Sequence, residues 1–471
     1  MDKTLLAIDI GSSHITAVIA RNNLDFKINI LGTGISKSNG INKGVISNIE
    51  VASKSIKEAV SLAKQNTSES IETTAVSISG AYTKGVRSTG SVNIPNGLIT
   101  ENEINQVLQM ALYNATIIPE YEVVHVVPIS FKIDDSADVE NPLNMNGTRL
   151  EVSVYVVTAK KTALTNIKSA FKMAGLTVNN FVLDGYATAI SILDDQQKKF
   201  GATVMNMGDT TTEFVCYKGT SIIYNGFIPV GSNHITNDLS VMLHTPPIAA
   251  EKIKTEYGDL LKSSEELLNK KVRTPRIGDE KNSSEVSLEH VQTIIHARME
   301  EVLTLVRNDL KKSGIHENLG TGVVLTGGMS KLGGVKELAT LVFDGLPVKI
   351  SNPVNIKNGY MSFEDQKMAT IVGILLYSLE SNRNFELDSN KNLIKKRKIV
   401  EQSNTAKTTE SNSSNKTSGT KKDASNSPST KNTSKLDLDL EEDGEGRLPT
   451  LTKKDKSKGV SKFWNAITEW F

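Results

Sequence analysis

Two stretches far apart in the chain, LLAIDIGSSHITAVIA at 5–20 and ATVMNMGDTTTEFVCY at 202–217, share one plan: an apolar run, a glycine, hydroxyl residues, a second apolar run. Each run has strand length and the break is short, so each stretch predicts a β-hairpin. Asp9 lies near the end of the first strand, and Gly11, Ser12 and Ser13 make its turn. In the second copy Asn206 takes the place of Asp9, and Gly208, Thr210 and Thr211 follow, with Ile10-Gly11-Ser12-Ser13 aligned on Met207-Gly208-Asp209-Thr210. A glycine lets backbone approach a ligand closely, and successive N–H groups beside hydroxyls make a nest for phosphate. One such turn says little, because polar hairpin tips are common. Two point to a duplicated unit, hence to two lobes whose turns face each other across a cleft and grip a polyphosphate from both sides.

Two further stretches suit the rest of a nucleotide. VVLTGGMSKLGGV (323–335) predicts a buried strand opening at Gly327-Gly328 into a helix, with a backbone thin enough to lie against a flat ring and Lys331 as a further candidate contact. AEKIKTEYG (250–258) places Glu251 and Lys254 three apart on one helical face, suited to ribose hydroxyls and a phosphate. An ordinary solvated helix carries the same spacing.

Composition narrows the class. A chain of 471 residues, 38% hydrophobic, is long enough for two or more cores. Its 54 basic and 53 acidic residues argue against attachment to nucleic acid by bulk charge. Cys216 is the one cysteine, so no internal disulfide forms; it reads as strand packing. Asp2 and Asp9 interrupt what a signal peptide would need, and no apolar run is long enough to span a bilayer, so the chain reads as cytosolic. The histidines, His14, His125, His234, His244, His290, His296 and His316, show no metal-ligand spacing, and none accompanies a nucleophile motif.

From Ser389 to Lys458 the text turns polar and poor in core formers, which predicts a disordered linker. Roughly 70 flexible residues reach on the order of 45 Å. The last residues, GVSKFWNAITEWF, place Phe463, Trp464, Ile467, Trp470 and Phe471 on one helical face, with Lys462 opposite and Lys458 among the lysines just upstream. Aromatic residues beside clustered lysines suit a helix lying in the headgroup layer of an anionic membrane. A helix that docks back on its own domain or on a partner is the other reading. One copy would bind weakly and reversibly, and several held together far more tightly.

Taken in order, the two hairpins, the Gly-Gly turn and the AExxK helix resemble the actin, sugar kinase and heat-shock ATPase superfamily, with DGYATAIS (184–191) and FEDQKMATIVGILLYS (363–378) as the two small-residue helices that cross between its halves. Within it, AVSISGAYTKG (75–85), HVVPISFKID (125–134), NPLNMNGTRLEVSVYVVTAKK (141–161) and HTPPIAAEKIKTEYG (244–258) resemble the FtsA family of bacterial cell-division proteins, as do the linker and terminal helix. The resemblance implies an α/β, actin-like two-domain fold built on a duplicated ribonuclease-H-like unit. Subdomain IA would span 1–81 and 161–202, an inserted IC 82–160, IIA 203–230 and 322–388, IIB 231–321, the linker 389–458 and the membrane helix 459–471.

The same resemblance implies binding of ATP or ADP with Mg2+. It also implies polymerisation along the inner face of the cell membrane at the division septum, capture of the C-terminal peptide of the tubulin-like FtsZ through IIB, and contact with later division proteins through IC. Asp9 and Asn206 would meet the metal through water. The superfamily usually has an acid at the position of Asn206; an amide there neither offsets the ion's charge nor draws a proton from an attacking water, so slow or absent hydrolysis is expected. Asp209, in place of a small residue, would repel phosphate unless turned toward metal. Arg298, in the helical stretch HARMEEVLTLVRNDL (296–310), aligns with an arginine that helps hold the FtsZ peptide; an arginine paired with Glu301 or Glu300 reads equally well. The alternative function is another ATPase or phosphotransferase of this fold, such as a sugar kinase.

Overall fold

The structure, a computed structural model, describes residues 3–22, 27–261, 269–315, 319–356, 361–379 and 385–394. Most of the expected linker and the whole terminal helix, with Lys458, Lys462, Phe463, Trp464, Ile467, Trp470 and Phe471, lie outside the described residues.

The first lobe begins with three antiparallel strands, β1 (Leu5–Ile10), β2 (His14–Asn22) and β3 (Ile28–Lys37). A small hairpin, β4 (Ile41–Asn42) and β5 (Val45–Ile46), leads into α1 (Ile49–Lys64) and β6 (Thr73–Ile78). The chain then departs into an inserted domain of β7 (Thr83–Asn93), α2 (Glu101–Asn114), β8 (Tyr121–Ile133) and β9 (Arg149–Lys160), whose sheet runs β7-β9-β8. It returns through α3 (Lys161–Met173), β10 (Asn180–Leu183), α4 (Asp184–Ile192) and α5 (Asp195–Phe200). The lobe's sheet has the order β10-β6-β1-β2-β3, with β6 parallel to both its neighbours. Helices cover the sheet, so β1 and β2 read as nearly continuous apolar runs.

The second lobe repeats the plan. β11 (Ala202–Met207), β12 (Thr212–Lys218) and β13 (Ser221–Ile228) form the antiparallel meander. After α6 (Ser232–Met242), α7 (Pro247–Tyr257), the hairpin β14 (Lys271–Arg276) and β15 (Asp279–Ser287), and α8 (Leu288–Lys312), the chain adds β16 (Gly322–Thr326), α9 (Val335–Val342) and β17 (Val348–Ile350). The sheet order is β13-β12-β11-β16-β17, strand for strand that of the first lobe. A final helix, α10 (Ala369–Leu379), crosses α4 between the sheets. Gly373 makes that crossing possible, because a Cβ there would lie 1.8 Å from the Ala187 carbonyl oxygen.

One boundary differs from expectation. Residues 389–394, read as linker from their polarity, belong to the folded body. Leu387 exchanges both backbone hydrogen bonds with Val126 of β8 (3.0 and 3.1 Å), and Phe385 and Leu387 are buried in the inserted domain's core. The Ser389 hydroxyl donates to Asn180 Oδ1 (2.6 Å) and accepts from Phe181 N (3.1 Å) on β10, while Gln109 Nε2 donates to the Lys391 carbonyl (2.9 Å). Polar side chains here bond folded backbone, and composition does not distinguish that from solvation.

Candidate functional site

The two turns are built alike. In the first hairpin Asp9 pairs with Thr16 and Ile10 with Ile15; in the second Asn206 pairs with Glu213 and Met207 with Thr212. A Cβ on Gly11 would lie 2.7 Å from the His14 carbonyl oxygen, so the first turn needs the bare backbone, and one on Gly208 would lie 3.0 Å from that of Thr211, a tight contact. They approach from opposite lobes. Ser79, just beyond β6, donates its hydroxyl to Glu213 Oε1 on β12 (2.5 Å), and His14 in the first turn bears electrostatically on Asp209 in the second. Asn206 Nδ2 donates to Thr370 Oγ1 (3.2 Å) and Thr188 Oγ1 (3.4 Å), tying the second hairpin to both crossing helices.

Three carboxyl groups converge between the turns: Asp9 on β1, Asp184 at the start of α4 and Glu213 on β12. Burial pushes the Asp9 carboxyl up to about 6, against a lowering hydrogen bond from the Ser77 hydroxyl (3.0 Å). Burial pushes Glu213 up to about 7, against the bond from Ser79. Asp184 is driven well above the ordinary carboxylate range by burial and then by the charges of Glu213 and Asp9. Residue-by-residue reading missed Asp184 and Glu213, and register would have found the second, since Glu213 stands directly across the strand pair from Asn206. Where Asn206 offers only an amide, a carboxylate stands directly across the strand pair, on Glu213. Asp209, half-buried, has a raised pKa from burial, opposed by Lys254, with Glu251 raising it further.

Several polar atoms here are buried without a hydrogen-bond partner: Asp184 Oδ1, Glu213 Oε2, Thr210 Oγ1 and Thr326 Oγ1. Leaving such atoms unpaired costs about 1–3 kcal/mol each, more when charged. Orphaned carboxylate oxygens fit a cation, and orphaned hydroxyls beside a glycine turn fit phosphate oxygens. Among the described residues no three His, Cys, Asp or Glu side chains gather closely enough to ligate an ion directly.

The remaining candidates surround the second turn. Gly327 adopts φ +87°, open to glycine, and a Cβ there would lie 2.5 Å from Asn206 Oδ1, so the Gly327-Gly328 turn lies against the second hairpin. Lys331 is paired with Asp365 (2.7 Å). Lys254, 4% exposed, donates to Glu251 Oε2 (2.6 Å), Ser232 Oγ (2.7 Å) and Thr236 Oγ1 (2.9 Å). Glu251 and Lys254 thus hold α7 to α6, whose first residues Ser232 and Asn233 donate backbone N–H groups to the carbonyls of Gly208 and Asp209 (3.0 and 2.7 Å). Arg298 lies on α8. Its guanidinium makes a two-pronged pair with Asp238 of α6 (2.7 and 3.0 Å) and a further bond with Glu301. Of the two acids expected near it, Glu301 is the partner; Glu300 instead lies 3.8 Å from His296.

Comparison with known proteins places this architecture. The cell division protein FtsA family profile matches residues 203–373, and that of the SHS2 domain inserted in FtsA matches 80–158, the span of β7 to β9. The cell division protein FtsA of Helicobacter pylori is 34% identical over 416 residues, covering 82% of this chain and 84% of that one. The chain belongs to the FtsA family. The FtsA of Pseudomonas aeruginosa is 32% identical, covering 80% of this chain and 90% of that one. Among solved structures, the PilM-PilN type IV pilus biogenesis complex shares the fold, at a TM-score of 0.54 and 16% identity over 80% of this chain and 98% of that one. This FtsA-family chain is an actin-like cell-division protein with an inserted SHS2 domain. No helix among its described residues is long and apolar enough to cross a membrane.

Proposed function

We propose that the chain binds ATP or ADP with Mg2+ between its two turns and polymerises on the inner face of the cell membrane at the septum. There it tethers the FtsZ ring and helps recruit later division proteins through the inserted domain. The observation that carries the nucleotide reading is the pair of glycine turns flanking the buried acids Asp9, Asp184 and Glu213, with Asp184 Oδ1 and Glu213 Oε2 poorly satisfied by the protein. Gly11, Ser12 and Ser13 would hold phosphate oxygens from one side, and Gly208, Thr210 and Thr211 from the other. Asp9, Asp184 and Glu213 would accept hydrogen bonds from the waters of a bound magnesium ion, which would neutralise the phosphates. Gly327 and Gly328 would lie against the base. Glu251 and Lys254, already engaged, would reach the ribose only by exchanging partners.

Hydrolysis in this arrangement is slow. The Asn206 amide is spent on Thr188 and Thr370 and accepts no proton, and Asp9, Asp184 and Glu213 are given to the waters of the metal, so the nucleotide mainly sets the angle between lobes. Phosphate release near 1 per second or faster would contradict this. Membrane attachment is assigned to residues 459–471 and peptide capture to the surface around Arg298. Equilibrium binding of a fluorescent ATP analogue, with and without Mg2+, tests the cleft; a chain that binds none refutes it. Co-sedimentation with anionic vesicles tests the tail, and a chain lacking 459–471 that pellets as well as the full chain removes it from the reading.

A further inference from the structure

The inserted domain leaves the first lobe at a point fastened to the second. β6 ends at Ile78, and the next residue, Ser79, donates its hydroxyl to Glu213 Oε1 (2.5 Å). The serine oxygen in turn accepts from Ala81 N (3.3 Å), capping the single turn Gly80–Tyr82 that opens into β7. One hydroxyl is thus shared between an acid of the cleft and the first turn of the inserted domain. Gly80 is also close, since a Cβ there would lie 3.4 Å from Glu213 Oε2. Farther along, the inserted domain leans on β13: Asn225 Nδ2 donates to Thr83 Oγ1 (3.0 Å), and the Tyr155 hydroxyl donates to Asn225 Oδ1 (2.9 Å).

Ser79 is buried against Gly44, where a Cβ would lie 2.2 Å from the serine oxygen. A small pocket of about 20 Å³, room for roughly one water, is lined by Gly44, Val45, Ser77, Ser79, Tyr82 and Asn166. It lies between the turn by which the chain enters the inserted domain and α3, by which it returns.

We propose that the Ser79–Glu213 hydrogen bond makes the orientation of the inserted domain depend on what occupies the phosphate cleft. The inference rests on the nucleotide reading above. A hydrated cation beside the acids competes with Ser79 for the Glu213 carboxylate. As Glu213 turns toward the cation it releases the serine, and the Gly80–Tyr82 turn moves and carries β7 with it. The ligand thereby gains a differential interaction with two positions of the domain, without which it could shift neither.

Hydrogen–deuterium exchange on the full chain, with and without Mg2+–ADP, tests this in the wild type and in Ser79→Ala, with ADP affinity measured on the same samples. The expected result is a several-fold change in exchange across 80–93 on binding in the wild type, and none in Ser79→Ala at an affinity within about threefold of wild type. Should Ser79→Ala melt far below the wild type, Ser79→Cys, which keeps the shape but weakens the donor, is used instead. A wild type that binds ADP with no change at 80–93 overturns the inference, and so does a serine variant that responds as the wild type does; both leave the nucleotide reading intact. A wild type that binds no ADP removes both.

Discussion

Replacing Glu213 with glutamine removes a carboxylate from a cluster that, without a cation, resists ionisation. Its pKa stands at about 7 in the folded chain against an ordinary 4.5, raised first by burial. A carboxyl raised on folding favours the native state at low pH, where it is protonated in both states, and loses that advantage as pH rises from about 4.5 through about 7. A gap near 2.5 units is worth about 3 kcal/mol at pH 8 and less than 1 kcal/mol near pH 5. Glutamine keeps the acceptor for Ser79 and carries no charge. With about 2.1 cal/mol/K per residue over roughly 390 residues, the ligand-free variant should melt about 4 °C above the wild type at pH 8 and about 1 °C above it near pH 5. Mg2+–ADP should reverse the order at pH 8, because the ionised glutamate then has a partner that glutamine lacks. Differential scanning calorimetry at both pH values reads all three. A ligand-free variant melting at or below the wild type at pH 8, or a gap independent of pH, refutes the idea that Glu213 is held unwillingly charged.

Gly373→Ala should cost about 2–3 kcal/mol, since its methyl must displace the Ala187 carbonyl at the helix crossing, and a wild-type melt would contradict that contact. Asn206→Asp forfeits the donations to Thr188 and Thr370 and adds a carboxylate to the acid cluster; it should lower the melting point by a few degrees at pH 8 and less at pH 5. If Asn206 limits hydrolysis, that variant also releases phosphate faster, and an unchanged rate assigns the slowness elsewhere. Arg298→Ala leaves Asp238 and Glu301 facing each other and should cost about 1–3 kcal/mol by thermal melt. Fluorescence anisotropy with the FtsZ C-terminal peptide should show weakened binding, and unchanged binding would confine Arg298 to holding α6 against α8.

What the sequence disclosed was local. Strand, turn and strand lie within sixteen residues in each hairpin, so apolar spacing and one glycine suffice to predict them, and their repetition carries the two-lobed plan. Asp184 and Glu213 escaped because their significance comes from companions on other elements: one opens a small-residue helix, the other interrupts an apolar strand, and only the folded chain brings both to Asp9. The Glu251 and Lys254 pair shows the same limit in reverse. Helical spacing put them on one face, but their bonds to Ser232 and Thr236 depend on α6, which that spacing does not reveal.

The short segment 385–394 is stitched to two neighbours at once, through Leu387 to β8 of the inserted domain and through Ser389 to β10 of the first lobe. A pull on this segment would load β8 and β10 together, one strand from each of the two sheets it joins.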